Sequence, residues 1–140
     1  ANRLSLPNLA CSPYRLYPLP KQIADKVCAT LTSHNGRPSS RVKDLVDLVI
    51  IALTQAVSAD TTRAAILHEA RLRGITVPDT FALPLSWGTA YTKLAKNSTA
   101  AGQTFADARD LMKDFVDPVL SGSVGGTYWN PKLLTWEQAP

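Results

Sequence analysis

The sequence predicts a mainly α-helical fold: a bundle of about five helices between an irregular or short-strand N-terminal arm and an aromatic C-terminal tail. Apolar residues recur at three- and four-residue spacing through most of the 140-residue chain, which is the period of a helix with one buried face. Serine, threonine and aspartate stand before these stretches, and glycine or proline after several of them, where helix starts and stops want them. The early prolines Pro7, Pro13, Pro18 and Pro20 precede the first periodic segment and forbid a helix there.

Residues 1–19 therefore read as an extended lead-in, with Arg15-Leu16-Tyr17 as a short strand or arm, and residues 20–140 as the helical domain. Pro20 suits the first turn of a helix, where its missing N–H costs nothing. That helix runs from about Lys21 to Thr32, with Ile23, Val27 and Leu31 on one face beside Ala24 and Cys28. It stops near Ser33-His34-Asn35-Gly36, whose asparagine and glycine accept a left-handed turn. Ser39 or Ser40 then caps a helix from about Ser40 to Val57, apolar on every side between Leu48 and Leu53 and hence central. Ser58 and Asp60 cap a third helix ending at Gly74, with Ile66 and Ala70 inward and Arg63, Arg71 and Arg73 outward. A proline-punctuated connection, Val77-Pro78 to Leu83-Pro84, leads to a helix capped by Ser86 that ends about Lys96. The last helix spans about Thr104 to Val116 or Leu120, with Phe105, Leu111, Met112, Phe115 and Val119 on its core face, and Pro118 bends or ends it. Ser121 to Gly126 reads as a flexible turn, after which Tyr128, Trp129 and Trp136 dock onto the body of the domain.

Composition narrows the functional classes. No apolar run approaches the roughly 20 residues of a membrane span, and the N-terminus lacks the apolar block of a signal peptide, so a cytoplasmic location without membrane contact is expected. The net charge of +4 permits contact with a polyanion without demonstrating one. Cys11 and Cys28 have no partners at zinc spacing, His68-Glu69 lacks a second histidine, and no metal site is expected. Asp107, Asp110, Asp114 and Asp117 form an acidic stripe, read as a solvated face, with docking of a basic partner protein as the alternative.

The chemistry-bearing residues lie between Lys26 and Asp47. Asp44 and Asp47 are three apart on one helix, so both carboxylates point to one side. Asp47 sits between Val46 and Leu48 and is expected to be half buried, which calls for a cation, and Lys26, Arg41 and Lys43 are the nearest in sequence. A short connection makes the two helices neighbours, bringing Lys26 across from Asp44 or Asp47. Such a set is either an ion pair that fixes helix packing or a site for a charged substrate, and spacing alone does not choose.

Residues Ile23-Ala24-Asp25-Lys26-Val27-Cys28-Ala29-Thr30-Leu31 and Arg37-Pro38-Ser39-Ser40-Arg41-Val42-Lys43-Asp44-Leu45-Val46-Asp47-Leu48 resemble the AbiEii/AbiGii toxin family of nucleotidyltransferases, toxins of type IV toxin–antitoxin pairs. The likeness continues more weakly through Arg71, Trp87, Tyr91 and Phe115-Val116-Asp117-Pro118-Val119-Leu120 to the tryptophan-bearing tail. It implies catalytic roles for Lys26, meeting nucleotide phosphates, and Asp44, orienting or activating the attacking hydroxyl. It implies substrate binding by Arg37, Arg41 and Lys43, with Arg41 contacting phosphate or bracing Asp44, and a supporting role for Asp47. It further implies Mg²⁺ and an NTP, an RNA acceptor such as tRNA, and an antitoxin partner. The family's glycine–serine segment and aspartate pair for Mg²⁺ have no counterpart here, since Gly122-Ser123 precedes no Asp-x-Asp. The resemblance thus implies a nucleotidyltransferase lobe upstream of Ala1, and a fragment that is inactive and holds no cofactor by itself. A helical protein-interaction module with no catalytic role is the alternative.

Overall fold

The structure, a computed structural model, describes residues 18–32 and 38–139. The N-terminal arm with Arg15-Leu16-Tyr17 and Cys11 and the segment 33–37 with His34 and Arg37 fall outside what is described, and the second helix already begins at Pro38, ahead of the Ser39 or Ser40 expected to cap it.

Among the described residues six α-helices precede one hairpin: α1 Leu19–Leu31, α2 Pro38–Thr54, α3 Ala59–Arg73, α4 Gly88–Ala95, α5 Phe105–Phe115 and α6 Asp117–Ser121, then β1 Thr127–Asn130 and β2 Thr135–Gln138. Single 3₁₀ turns, Leu85–Trp87 and Thr99–Gly102, flank α4. The mainly helical expectation holds, and two elements differ from it. The helix expected from Ser86 opens instead as the 3₁₀ turn, and Trp87 stands at the start of α4 with no side-chain cap. The aromatic tail is a β-hairpin.

Helix α1 buries Ile23, Ala24, Val27, Cys28, Ala29 and Thr30, a wider face than one stripe, because it packs against both α2 and α3. Helix α2 is central as its apolar run demands, contacting α1, α4 and α5 and burying Val42, Leu45, Val46, Leu48, Val49, Ile51 and Ala52. Ser58 Oγ accepts from the Thr61 N–H to start α3, and Gly74, at φ 68°, closes it with its N–H on Ala70 and Arg71. Thr104 and Asp107 form a reciprocal capping box at the start of α5.

Cys28 is a free, fully buried thiol whose Sγ donates to the Ile66 carbonyl at 3.6 Å. Burial, the dominant cause, pushes its pKa up from 9.0 to about 11. A folded-state pKa above the unfolded value means the folded chain binds this proton more tightly. Stability from Cys28 is therefore complete below pH 9 and is lost between pH 9 and about 11. The loss amounts to about 2–3 kcal/mol at the upper end. Chemical denaturation of the protein and of Cys28→Ala across this range should show the decline attenuated in the variant; parallel curves would refute the assignment.

Pro118 divides α5 from α6. It has no N–H to give the Asp114 carbonyl, so that carbonyl and its neighbour must find donors elsewhere. The Trp136 indole supplies one to both, 3.1 Å from Asp114 O and 3.2 Å from Phe115 O. Trp129 does the same for α2, its Nε1 donating to Ala52 O at 2.7 Å. Arg63, expected to face solvent, turns inward and closes α6, its Nη1 donating to Val119 O at 2.8 Å and also to Leu120 O. The reason is that the C-terminal carbonyls of a helix attract a cation.

The turn 122–126, expected to be flexible, is fastened: the Gly126 N–H donates to Asp60 Oδ2 at 3.1 Å and the Ser123 N–H to Pro118 O at 3.0 Å. In the hairpin Trp129 pairs with Trp136, and directly opposed residues share a face. Both rings meet Phe115, Trp129 edge-on at 4.7 Å and Trp136 stacked at 5.8 Å. The Trp129 N–H donates to Val57 O at 2.9 Å and ties the hairpin to the connection between α2 and α3.

Candidate functional site

Lys26 lies on the second turn of α1, one turn before the buried Thr30, whose hydroxyl donates back to the Lys26 carbonyl. Its ammonium reaches across to α2. Nζ is 2.9 Å from Asp47 Oδ2 and 3.9 Å from Asp44 Oδ1. Arg41 Nη1 holds the other Asp44 oxygen at 3.0 Å, and Lys43 Nζ lies 3.9 Å from the same Asp47 Oδ2 that Lys26 contacts. Helical spacing explains the set, since Arg41 and Asp44 are three apart and Lys43 and Asp47 four apart, so all four rise on one side of α2.

Three cations thus surround two carboxylates and leave an excess positive charge. The side chains of Lys26, Asp44 and Asp47 are 23, 20 and 31% exposed, whereas Lys43 is 74% exposed, so the cluster is sunk in the surface and open on the Lys43 side. Burial raises the Asp44 pKa above the ordinary carboxylate value against the pull of Lys26 and Arg41, with Asp47 adding to the rise.

Of the residues expected to form a site, Lys26, Arg41, Lys43, Asp44 and Asp47 come together, and Arg37 lies outside the described residues. The resemblance ranked Asp44 above Asp47, yet Lys26 is closest to Asp47, the one expected to be merely supporting.

Mg²⁺ asks for several hard oxygens free to face the ion. Here Asp44 gives one oxygen to Lys26 and the other to Arg41, and Asp47 Oδ2 lies between two ammoniums. No group of three or more His, Cys, Asp or Glu among the described residues is placed to share a metal ion. The cluster does not fit Mg²⁺.

Elsewhere the expected features resolve differently. His68 is exposed, while Glu69 accepts from Arg73 Nε at 2.8 Å. The acidic stripe is exposed at Asp107, Asp110 and Asp114, with Asp107 also capping α5, and departs from a solvated face at Asp117, which is partly buried and accepts the Phe81 N–H at 2.7 Å, anchoring the proline-rich connection. That contact helps form a cleft of about 320 Å³ that includes Arg109 and Lys113 and none of the Lys26 cluster. Its assembly depends on a bond between residues 36 apart, which no local pattern announces. No helix among the described residues is long and apolar enough to cross a membrane.

A helical bundle with a mixed-charge cluster set between its first two helices is the class of domain that fold and site define. The family described as the nucleotidyl transferase AbiEii toxin of type IV toxin–antitoxin systems matches residues 2–123, most of the chain, and the protein belongs to that family. No curated protein and no solved structure shows a significant match.

Proposed function

We propose that this chain provides the Lys26 face of a nucleotidyltransferase toxin that moves a nucleotide from an NTP to an RNA acceptor, the end of a tRNA. The observation that carries the reading is the convergence of the Lys26 ammonium on Asp44 and Asp47, within 4 Å of both, in a family of nucleotidyl transferases. Lys26 draws on the negative charge of the nucleotide phosphates. Asp44, with its raised pKa, is suited to accept the proton of the attacking hydroxyl, and Arg41, engaged at 3.0 Å, braces it. Arg37 meets the acceptor's backbone, and the exposed Lys43 adds positive charge beside Lys26 for substrate phosphate, so binding weakens as salt rises. Mg²⁺, which would offset charge at the triphosphate, belongs on this reading to a nucleotidyltransferase lobe other than the helical domain, and the helical domain alone is inactive. An antitoxin protein is the partner that membership in a type IV system implies.

The test is nucleotide incorporation into RNA by the full-length gene product carrying Lys26→Ala or Asp44→Ala. Activity should collapse in both, and undiminished activity would remove both residues from the mechanism. A second reading, a helical interaction module, is favoured by one observation: a 2.9 Å Lys26–Asp47 contact is also what a packing device looks like. The effect of losing Lys26 on folding separates the two.

A further inference from the structure

Asp47 has a geometry that its supporting role does not explain. A single oxygen, Oδ2, receives two ammoniums from different helices, Lys26 at 2.9 Å and Lys43 at 3.9 Å. Two lysines converging on one oxygen form a fork for one anionic oxygen, and a carboxylate of the chain itself occupies it. Lysine binds phosphate as a point charge, without the fixed geometry of a guanidinium, so a phosphate oxygen fits this fork as well as a carboxylate oxygen does. Asp44 is not in the same position, because its closest cation is Arg41 on its own helix. The fork is open to water, with Asp47 31% and Lys43 74% exposed, so an incoming anion can reach it.

We infer that Asp47 is a resident competitor for the phosphate-binding fork of Lys26 and Lys43, and that a polyphosphate chain binds by taking its place. This rests on the reading of Lys26 as a phosphate contact. When the polyphosphate enters, Asp47 swings out toward solvent and both ammoniums turn to phosphate oxygens. The apparent affinity is then lowered by the fraction of molecules in which Asp47 holds the fork. The device confers selectivity: a singly charged anion gains little over the carboxylate it displaces, whereas a triphosphate brings several charges to the same two lysines.

The experiment is calorimetric titration of the 140-residue protein with inorganic tripolyphosphate at low salt, in the wild type, Asp47→Asn, Lys26→Gln and the Lys26→Gln/Asp47→Asn double variant. Asp47→Asn should tighten binding about fivefold, the equivalent of one partly exposed ion pair at its upper range. In the Lys26→Gln background the same change should gain less than about twofold, because the competition acts through Lys26. Asp47→Ser, which vacates the fork with a smaller side chain, should reproduce the gain, and circular dichroism verifies that each variant is folded. Wild-type binding with no gain in Asp47→Asn or Asp47→Ser overturns the competition alone. A gain that persists undiminished without Lys26 also overturns it, since that is a general field effect. Absence of tripolyphosphate binding in the wild type and in both Asp47 variants overturns the phosphate reading of Lys26 itself.

Discussion

Trp129→Ala is expected to destabilise the protein by about 3–5 kcal/mol, the range for truncating a buried aromatic. The indole is 1% exposed and meets Phe115 edge-on at 4.7 Å and Trp136 at 5.3 Å. Its removal leaves a cavity in the middle of an aromatic cluster and also orphans the Ala52 carbonyl at the end of α2. For a chain of this length the melting temperature should fall by roughly 10–20 °C. Trp129→Phe keeps most of the ring volume and loses the indole N–H, so it should cost about 1–2 kcal/mol. Thermal melts followed by far-ultraviolet circular dichroism measure both. A loss below about 1 kcal/mol for Trp129→Ala would mean that the hairpin is an appendage rather than part of the core. The result bears on the family as well, because the matched residues end at 123 and the hairpin begins at Thr127. The element predicted to matter most for stability lies beyond the matched segment.

This dependence on the hairpin shows where sequence reading stops. The helices were legible because their apolar periodicity reports a buried face directly, and Pro118 announced the break at Val116 by its chemistry. Docking of Trp129 and Trp136 was legible too, since aromatics near a terminus rarely stay in water, but Tyr128, expected to dock with them, points from the other face of the hairpin and is exposed. Their pairing in a hairpin was not, because strands of four residues offer too little alternation to distinguish from a loop. Nor was their polar task. Last-turn carbonyls at three helix ends take side-chain donors, and Trp129, Trp136 and Arg63 each arrive from a distant part of the chain to supply them. Local rules say that such groups need donors and cannot say which ones come. Arg63 looked like a surface residue for that reason. The site divides in the same way: the one-turn spacing of Asp44 and Asp47 fixed their common side, whereas the difference between 2.9 and 3.9 Å from Lys26 depends on how α1 sits against α2.

Lys26→Ala should separate activity from folding. On the catalytic reading, nucleotide incorporation by the full-length enzyme falls at least about 100-fold, the loss typical when one preorganised charge contact in a reaction site is removed. The stability change should be far smaller. Deleting one partner of a fully buried ion pair costs about 3–5 kcal/mol because the other charge is left alone, and an exposed pair is worth no more than about 1. Lys26 lies between these limits at 23% exposure, and neither carboxylate is abandoned when it goes: Asp44 retains Arg41 at 3.0 Å and Asp47 retains Lys43 at 3.9 Å. About 1–2 kcal/mol is therefore expected, discounted for the solvent that reaches the cluster. Lys26→Met, which keeps the apolar stem packed along α1, should recover part of that stability and none of the activity. A packing device behaves in the opposite way: Lys26→Ala would cost 3 kcal/mol or more, on the order expected for a stranded buried charge, and activity would return with whatever restores the fold. Denaturant titration of the 140-residue protein beside incorporation assays of the full-length enzyme distinguishes the two outcomes, because the surviving Arg41–Asp44 and Lys43–Asp47 contacts can hold the helices together but cannot replace the ammonium that α1 brings to the cluster.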